Sequence, residues 1–200
     1  YDDLLVMSET GTGKSCEVIG FLEYVRKEFN KARIDPTRAD EKVAHLKQTY
    51  ILVKSKTLKE EIRNQIVCKC SDGHYEKGMV NNADSETTQK SNITRELRKA
   101  GYEVGTYKTF ARMIMKEYPT DEDNVRLAND FADTIFWIDE AHNLLIDPDG
   151  TSKPGEKEQI YQVLFRVLHL ALRSKRIVST ATPMINGDGE IIPLMNLIRP

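Results

Sequence analysis

The sequence predicts an α/β fold in which helices cover both faces of a parallel β-sheet. Short apolar runs alternate with longer segments of helical periodicity along the 200 residues. One of these runs, residues 134–138, shows no polar alternation, which is typical of a strand buried on both faces. Right-handed crossovers between such strands would place ligands at their carboxyl ends. We expect one domain, spanning residues 1–200.

The elements of the first half follow from apolar spacing. An apolar run at residues 4–7 breaks into a Gly-rich turn, and helical spacing begins near Lys14. The polar segment 30–47, broken by a proline, predicts a solvated loop. A buried-type strand at 50–53 leads into a helix that ends near residue 67. A second polar segment, 71–91, predicts another solvated insertion.

A short helix at 93–99 is expected to lead into a strand at 103–106. Thr109 is expected to cap the next helix, which ends near Pro119. The acidic segment 120–124 predicts a solvated loop before the strand at 134–138.

The last third predicts a helix, a strand and a short closing helix. The helix at 156–173 has the clearest apolar stripe of the chain, the strand spans 177–180, and the closing helix spans 190–198. Because the first strand begins close to the amino end, we expect the chain to be a fragment of a longer protein.

Composition excludes several classes of protein. The chain is 40% hydrophobic and 30% charged with a net charge of −2, which excludes a fibrous rod, low-complexity disorder and a polycation that holds nucleic acid by bulk charge. No apolar run approaches the ~18 residues that would span a bilayer. We therefore expect a location in the cytoplasm or nucleus.

Three cysteines are present, an odd number that predicts no disulfide framework and fits a reducing compartment. Cys68, Cys70 and His74 lack the second ligand pair that structural zinc needs. Buried, apolar thiols are the expected alternative.

A phosphate-binding loop is predicted between the first strand and the first helix. Glycines let backbone amides face phosphate oxygens, the helix adds its positive dipole end, and a lysine reaches the β- and γ-phosphates. A hydroxyl after the lysine is suited to hold Mg²⁺. Ser8 stands where the full loop pattern has Gly. The nucleotide-binding candidates are Thr10, Gly11, Thr12, Gly13, Lys14 and Ser15.

Two adjacent carboxylates follow the strand at 134–138. Asp139 is expected to hold Mg²⁺ and Glu140 to orient and deprotonate an attacking water. An acidic pair alone would be an ordinary strand end, whereas together with a phosphate loop it predicts ATP hydrolysis. The catalytic candidates are therefore Lys14, Asp139 and Glu140.

Three segments together resemble motifs I, II and III of superfamily 2 helicases and translocases. They are residues 10–15 (TGTGKS), 139–142 (DEAH) and 180–183 (TATP), in this order along the chain. The resemblance covers nearly the whole chain as a first RecA-like domain, and that superfamily often lacks the leading Gly of the loop. Residues 137–144 and 183–186 resemble the DEAH-type ATPases of large DNA viruses, which extends the expected location to a virion or viral factory.

This resemblance implies ATP and Mg²⁺ as cofactors, with Ser15 and Asp139 at the metal. It also implies that His142, Thr180 and Thr182 couple the nucleotide state to movement between domains. A plain turn before Pro183 remains an alternative for the threonines. The family completes its site with arginines from a second RecA-like lobe, which this chain is expected to lack, so that the isolated lobe would turn over slowly.

Nucleic-acid contacts are predicted after the second and third strands. Lys54 and Ser55 stand where the family contacts a nucleic-acid backbone, and Thr106 and Tyr107 resemble the next such motif. Hydroxyls, lysines and helix-start amides hold phosphates without reading sequence, and the Tyr107 ring is suited to lie against a sugar or base. Binding of DNA or RNA by this lobe alone should be weak and sensitive to salt.

The sequence thus predicts the ATP-hydrolysing lobe of a nucleic-acid-dependent superfamily 2 helicase or translocase. Two alternatives remain open. One is a transcription-factor subunit that uses the lobe mainly as a nucleic-acid-binding interaction platform. The other is a P-loop enzyme outside the motor families, such as a kinase, although the TATP segment argues against it.

Overall fold

A computed structural model describes most of the chain, namely residues 3–7, 13–71, 75, 86–144, 155–181 and 191–199. Five strands and seven α-helices lie within these residues. The strands are β1 (Asp3–Met7), β2 (Gln48–Val53), β3 (Tyr102–Thr106), β4 (Thr134–Asp139) and β5 (Lys175–Thr180). The helices are α1 (Lys14–Ile34), α2 (Lys56–Asn64), α3 (Glu86–Lys99), α4 (Tyr107–Glu117), α5 (Asn124–Asp130), α6 (Glu156–Leu170) and α7 (Ile191–Ile198).

The strands form one parallel sheet in the order β1-β5-β4-β2-β3. All five carboxyl ends therefore meet at one edge. The predicted α/β fold is confirmed. So are all five predicted strands, although each extends slightly beyond its expected bounds.

Two hydrophobic cores lie on opposite faces of the sheet. The first contains side chains of α1, α2 and α3, and the second contains side chains of α4, α5, α6 and α7. All six residues of β4 are buried, with Trp137 in the first core and Phe136 and Ile138 in the second. As the sequence predicted, residues 134–138 show no polar alternation because both faces of this strand are buried.

The segment 30–47 is only in part the solvated loop that the sequence predicted. Helix α1 continues to Ile34, and a 3₁₀ turn follows at Pro36–Arg38. Val43 and Leu46 then enter the first core, where they are 7% and 3% exposed. Two isolated apolar residues in a polar segment are too few to form a periodic signal, which is why the pattern missed them.

The segment 120–124 is also partly helical. A 3₁₀ turn at Asp121–Asp123 leads into α5, which the apolar pattern did not predict. Leu127 anchors this short helix in the second core and is fully buried. The predicted start of α4 needs a correction as well, because its N-cap is Thr106 and Thr109 is the third helical residue of a capping box.

Helix α3 begins at Glu86, seven residues before the predicted start. Of the predicted insertion at 71–91, residues 72–74 and 76–85 lie outside the described residues. Within the part of the chain that the structure describes, no helix has both the length and the apolar character to cross a bilayer.

Candidate nucleotide site

The amino end of α1 forms one wall of the site. Gly13 is the N-cap of α1 and has φ +89°, a left-handed conformation that favours glycine. Its carbonyl accepts hydrogen bonds from the amides of Cys16 and Glu17. Lys14 follows and is 7% exposed, while Ser15 is half-buried on the same first turn. Thr10, Gly11 and Thr12 of the predicted loop lie outside the described residues.

The acidic pair lies opposite Lys14. The Lys14 ammonium is 3.0 Å from Oε1 of Glu140 and 4.0 Å from Oδ1 of Asp139. In the sheet, β5 lies between β1 and β4. Lys14, on the first turn of the helix that follows β1, reaches both carboxylates after β4's apolar run.

The donor set suits a divalent cation. Two carboxylates face one ammonium, so one negative charge is left over in a region shielded from water. Oε2 of Glu140 is buried and makes no hydrogen bond to any described residue. Nδ1 of His142 lies 3.3 Å from this oxygen, but the same nitrogen lies closer, at 2.9 Å, to Oγ1 of Thr180. Hard oxygen ligands with excess negative charge are what Mg²⁺ requires.

A buried chain of hydrogen bonds orients Asp139. The indole N–H of Trp137 donates to Oγ of Ser179 at 2.8 Å, and that hydroxyl donates to Oδ1 of Asp139 at 2.7 Å. Burial raises the pKa of Asp139, and the hydroxyl of Ser179 and the charge of Lys14 oppose this rise. Sequence reasoning missed Trp137 and Ser179. Their alignment depends on the β4–β5 register, which pairs Asp139 with Ser179.

Two of the three predicted coupling residues, His142 and Thr180, meet beside the acidic pair. Nδ1 of His142 lies 2.9 Å from Oγ1 of Thr180. The amide of Asn143 lies 3.0 Å from Nε2 of His142, and since an amide NH₂ can only donate, Nδ1 carries the proton toward Thr180. Burial lowers the pKa of His142 and favours this neutral form. Thr182 lies outside the described residues.

The predicted nucleic-acid residues stand at the same edge of the sheet. Lys54 is exposed, and its charge lowers the pKa of His142. Ser55 is the N-cap of α2, where its hydroxyl accepts from the Leu58 amide at 3.2 Å. Thr106 is 7% exposed. Lys54 is thus the most accessible of these candidates.

Tyr107 does not lie on the surface, where the sequence predicted it. It is 4% exposed, and its hydroxyl donates to the backbone carbonyl of Asp139. The reason is the early start of α4, which makes Tyr107 the first helical residue and turns its ring into the second core. No ring face is left for a base or sugar to stack on.

The prediction of buried, apolar thiols is wrong for all three cysteines. Cys16, on the first turn of α1, forms a disulfide with Cys70. The α2 helix continues as a π-helical turn, Gln65–Lys69, that packs against α1 and presents Cys70 to it. Cys68 is a free thiol but is exposed rather than buried. His74 lies outside the described residues. Among the residues that the structure describes, no three His, Cys, Asp or Glu side chains converge on a metal position.

Comparison with known proteins identifies the family of the chain. The family model described as "Type III restriction enzyme, res subunit" (ResIII) matches residues 2–185. "Putative helicase 087L" of Invertebrate iridescent virus 3 is 30% identical over 99% of this chain, and "Putative helicase 009L" of Frog virus 3 (isolate Goorha) is 26% identical over 100% of it. "Putative ATP-dependent RNA helicase L377" of Acanthamoeba polyphaga mimivirus is 22% identical over 100% of the chain.

The chain spans 18% of the length of each of these viral relatives. The solved structure "DEAD-box helicase Mss116 bound to ssRNA and UDP-BeF" superposes with a TM-score of 0.54. The match is 16% identical and covers 99% of this chain and 35% of the Mss116 chain, a likeness that concerns the fold. The chain therefore belongs to the ResIII family and is a superfamily 2 helicase ATPase domain, namely a first RecA-like lobe of the large-DNA-virus type.

Proposed function

We propose that this lobe binds ATP with Mg²⁺ at the carboxyl edge of the sheet and hydrolyses the γ-phosphate as part of a nucleic-acid-dependent helicase or translocase. The observation that supports it most is the convergence of Lys14 with Asp139 and Glu140 within 4.0 Å. A P-loop lysine facing two carboxylates is the arrangement that phosphoryl transfer to water needs.

Lys14 and the amino end of α1 would hold the β- and γ-phosphates, since both present positive charge to the same space. Ser15 and Asp139 are the residues that would hold Mg²⁺. The cation supplies charge neutralisation for the phosphate oxygens. Thr10, Gly11 and Thr12 would complete the cradle.

Glu140 is the proposed general base. It would accept a proton from the water whose oxygen forms a bond to the γ-phosphorus, while the bond from that phosphorus to the bridging oxygen breaks. In this structure Lys14 holds one oxygen of Glu140 at 3.0 Å. Phosphates that draw Lys14 toward themselves would free Glu140 to take that proton. Binding of substrate would thereby activate the base.

DNA or RNA is the proposed track, held by its backbone near Lys54, Ser55 and Thr106, and a second RecA-like lobe is the proposed partner for domain movement. Mss116 was solved bound to ssRNA, and L377 is named as an RNA helicase, which supports a nucleic-acid substrate. His142 and Thr180 are the proposed coupling pair, together with Thr182. The viral relatives favour the infected cell as the place of action.

ATP turnover of the full-length protein, with and without single-stranded and double-stranded DNA and RNA, tests this proposal. Lys14→Ala should abolish nucleotide binding, and Glu140→Gln should lower turnover by about 100-fold or more, the usual contribution of a general base. Matched controls are Lys116→Ala and Glu117→Gln, which change exposed side chains at the far end of α4. Turnover that is unchanged in both site variants would refute the proposed site. Nucleic-acid binding without any turnover would favour the interaction platform.

A further inference from the structure

Tyr107 links the first turn of α4, where the proposed function places nucleic acid, to the acidic pair of the proposed nucleotide site. It is the first residue of α4, which begins where β3 ends. Strand β2 lies between β3 and β4 in the sheet. The Tyr107 side chain therefore spans the end of β2, and its hydroxyl donates to the carbonyl of Asp139 at the end of β4.

The carbonyl that Tyr107 binds belongs to the peptide between the two catalytic carboxylates. Glu140 has φ +53°, a left-handed conformation that is strained for a residue with a side chain. A rotation of this peptide would redirect the carboxylates of both Asp139 and Glu140. The hydroxyl of Tyr107 holds the peptide in one orientation. Burial raises the pKa of Tyr107 well above its usual value, so the hydroxyl remains a donor at physiological pH.

The other side of the same helical turn is open to solvent. Lys108 and Thr109 are exposed, and Lys108 forms an ion pair with Glu156 of α6 at 2.5 Å between two solvated side chains. Such an exposed pair contributes little to stability and is readily exchanged for another anion. Reciprocal hydrogen bonds between Thr106 and Thr109 make the turn a compact unit. A shift of its exposed side would therefore move Tyr107.

We propose that Tyr107 is the positioning residue through which a nucleic-acid backbone, bound at the first turn of α4, alters the orientation of Asp139 and Glu140. The inference rests on the proposed function and adds to it a route for stimulation by nucleic acid. A phosphodiester that replaces Glu156 at Lys108 displaces the turn, and the hydroxyl of Tyr107 passes the displacement to the Asp139–Glu140 peptide. Tyr107 acts through this hydrogen bond and touches neither nucleotide nor nucleic acid.

The test is Tyr107→Phe in the full-length protein, which keeps the ring and removes the hydroxyl. The measured quantity is the ratio of ATP turnover at saturating oligonucleotide to turnover without it, using single-stranded RNA and single-stranded DNA of the same sequence. We expect this ratio to fall by about 5-fold or more, the lower end of ordinary coupling between sites. The Kd for the same oligonucleotide should stay within about 2-fold, since the coupling and not the contact is removed.

Tyr118→Phe is the matched control. Tyr118 lies at the carboxyl end of the same helix, is 9% exposed and donates its hydroxyl to Oδ2 of Asp130 at 2.7 Å, away from the site. It should leave the ratio unchanged. Because both turnover values come from one preparation, a partly unfolded sample lowers them equally and does not change the ratio.

The outcomes separate this inference from the proposed function. A wild-type protein without turnover, or one insensitive to Lys14→Ala, would refute the proposed function. A protein that hydrolyses ATP but is not stimulated by nucleic acid would overturn the inference together with the nucleic-acid dependence in the proposed function. A Tyr107→Phe variant with the wild-type ratio, or a ratio lowered equally by Tyr118→Phe, would overturn the inference alone.

Discussion

Replacing Ser179 with alanine would remove the hydroxyl that orients Asp139. That hydroxyl is fully buried, accepts from the indole of Trp137 at 2.8 Å and donates to Oδ1 of Asp139 at 2.7 Å. The variant therefore loses a hydrogen bond to a carboxylate and leaves the Trp137 N–H without its acceptor. The first loss acts on the site and the second on folding.

The size of both effects follows from these contacts. A hydrogen bond to a charged group contributes about 1.5–3 kcal/mol, and a buried donor without a partner costs about 1–3 kcal/mol. We expect Ser179→Ala to weaken Mg²⁺-dependent turnover by about 10- to 150-fold, since 1.4 kcal/mol corresponds to about a factor of ten. We also expect the free energy of unfolding to fall by about 1–3 kcal/mol.

The pH dependence separates the two effects. The hydroxyl of Ser179 lowers the pKa of Asp139 against the effect of burial, so its removal lets this pKa rise further. The acidic limb of kcat/KM should then move to higher pH, which a loss of stability alone would not produce.

The assay is steady-state ATP turnover against Mg²⁺ concentration and pH, with unfolding by urea measured alongside. Ser174→Ala is the control, since Ser174 precedes β5 at the opposite end and donates to the carbonyl of Ala171 at 2.9 Å. A Ser179→Ala variant with the Mg²⁺ dependence and pH profile of the wild type would refute this account of Asp139.

Two further predictions concern stability. The disulfide between Cys16 and Cys70 closes a loop of 54 residues, which in the chain-entropy treatment stabilises the fold by about 4 kcal/mol. Cys16→Ser, or dithiothreitol added to the wild type, should lower the urea midpoint to the same value, whereas Cys68→Ser should not change it. Equal midpoints for oxidised and reduced protein would contradict this prediction. Burial raises the pKa of Asp139 above its value in the unfolded chain, so folding favours the protonated carboxyl. The contribution of this carboxyl to the free energy of unfolding is therefore present below the unfolded-state pKa and is lost as pH rises through the folded-state pKa. Asp139→Asn should therefore be more stable than the wild type at pH 8 without Mg²⁺, and the difference should shrink toward pH 4. Thermal unfolding across this range measures it, and a less stable Asp139→Asn at pH 8 would show that Asp139 stabilises the fold in its charged form.

Local patterns in the sequence predicted much of the fold. The five strands and the longer helices follow from apolar spacing, which depends only on residues near one another in the chain. The short helix α5 and the buried Val43 and Leu46 were missed because one or two apolar anchors do not form a period. The sequence analysis placed the cap of α4 at Thr109 instead of Thr106, because threonine is a good cap at either position. The residue that caps the helix is decided by where β3 ends.

The candidate site, like the fold, has features that local sequence predicts and features that depend on tertiary structure. By itself the sequence determined which residues bear the chemistry, since the loop before α1 and the acids after β4 are contiguous motifs. The tertiary structure decided how they are held: Lys14 meets Asp139 and Glu140, Ser179 aligns with Asp139, Tyr107 reaches across β2, and Cys16 pairs with Cys70. These partners lie 32 to 126 residues apart in the chain. Which of them meet depends on strand order and register, and those follow from the packing of the whole sheet rather than from any local run of residues.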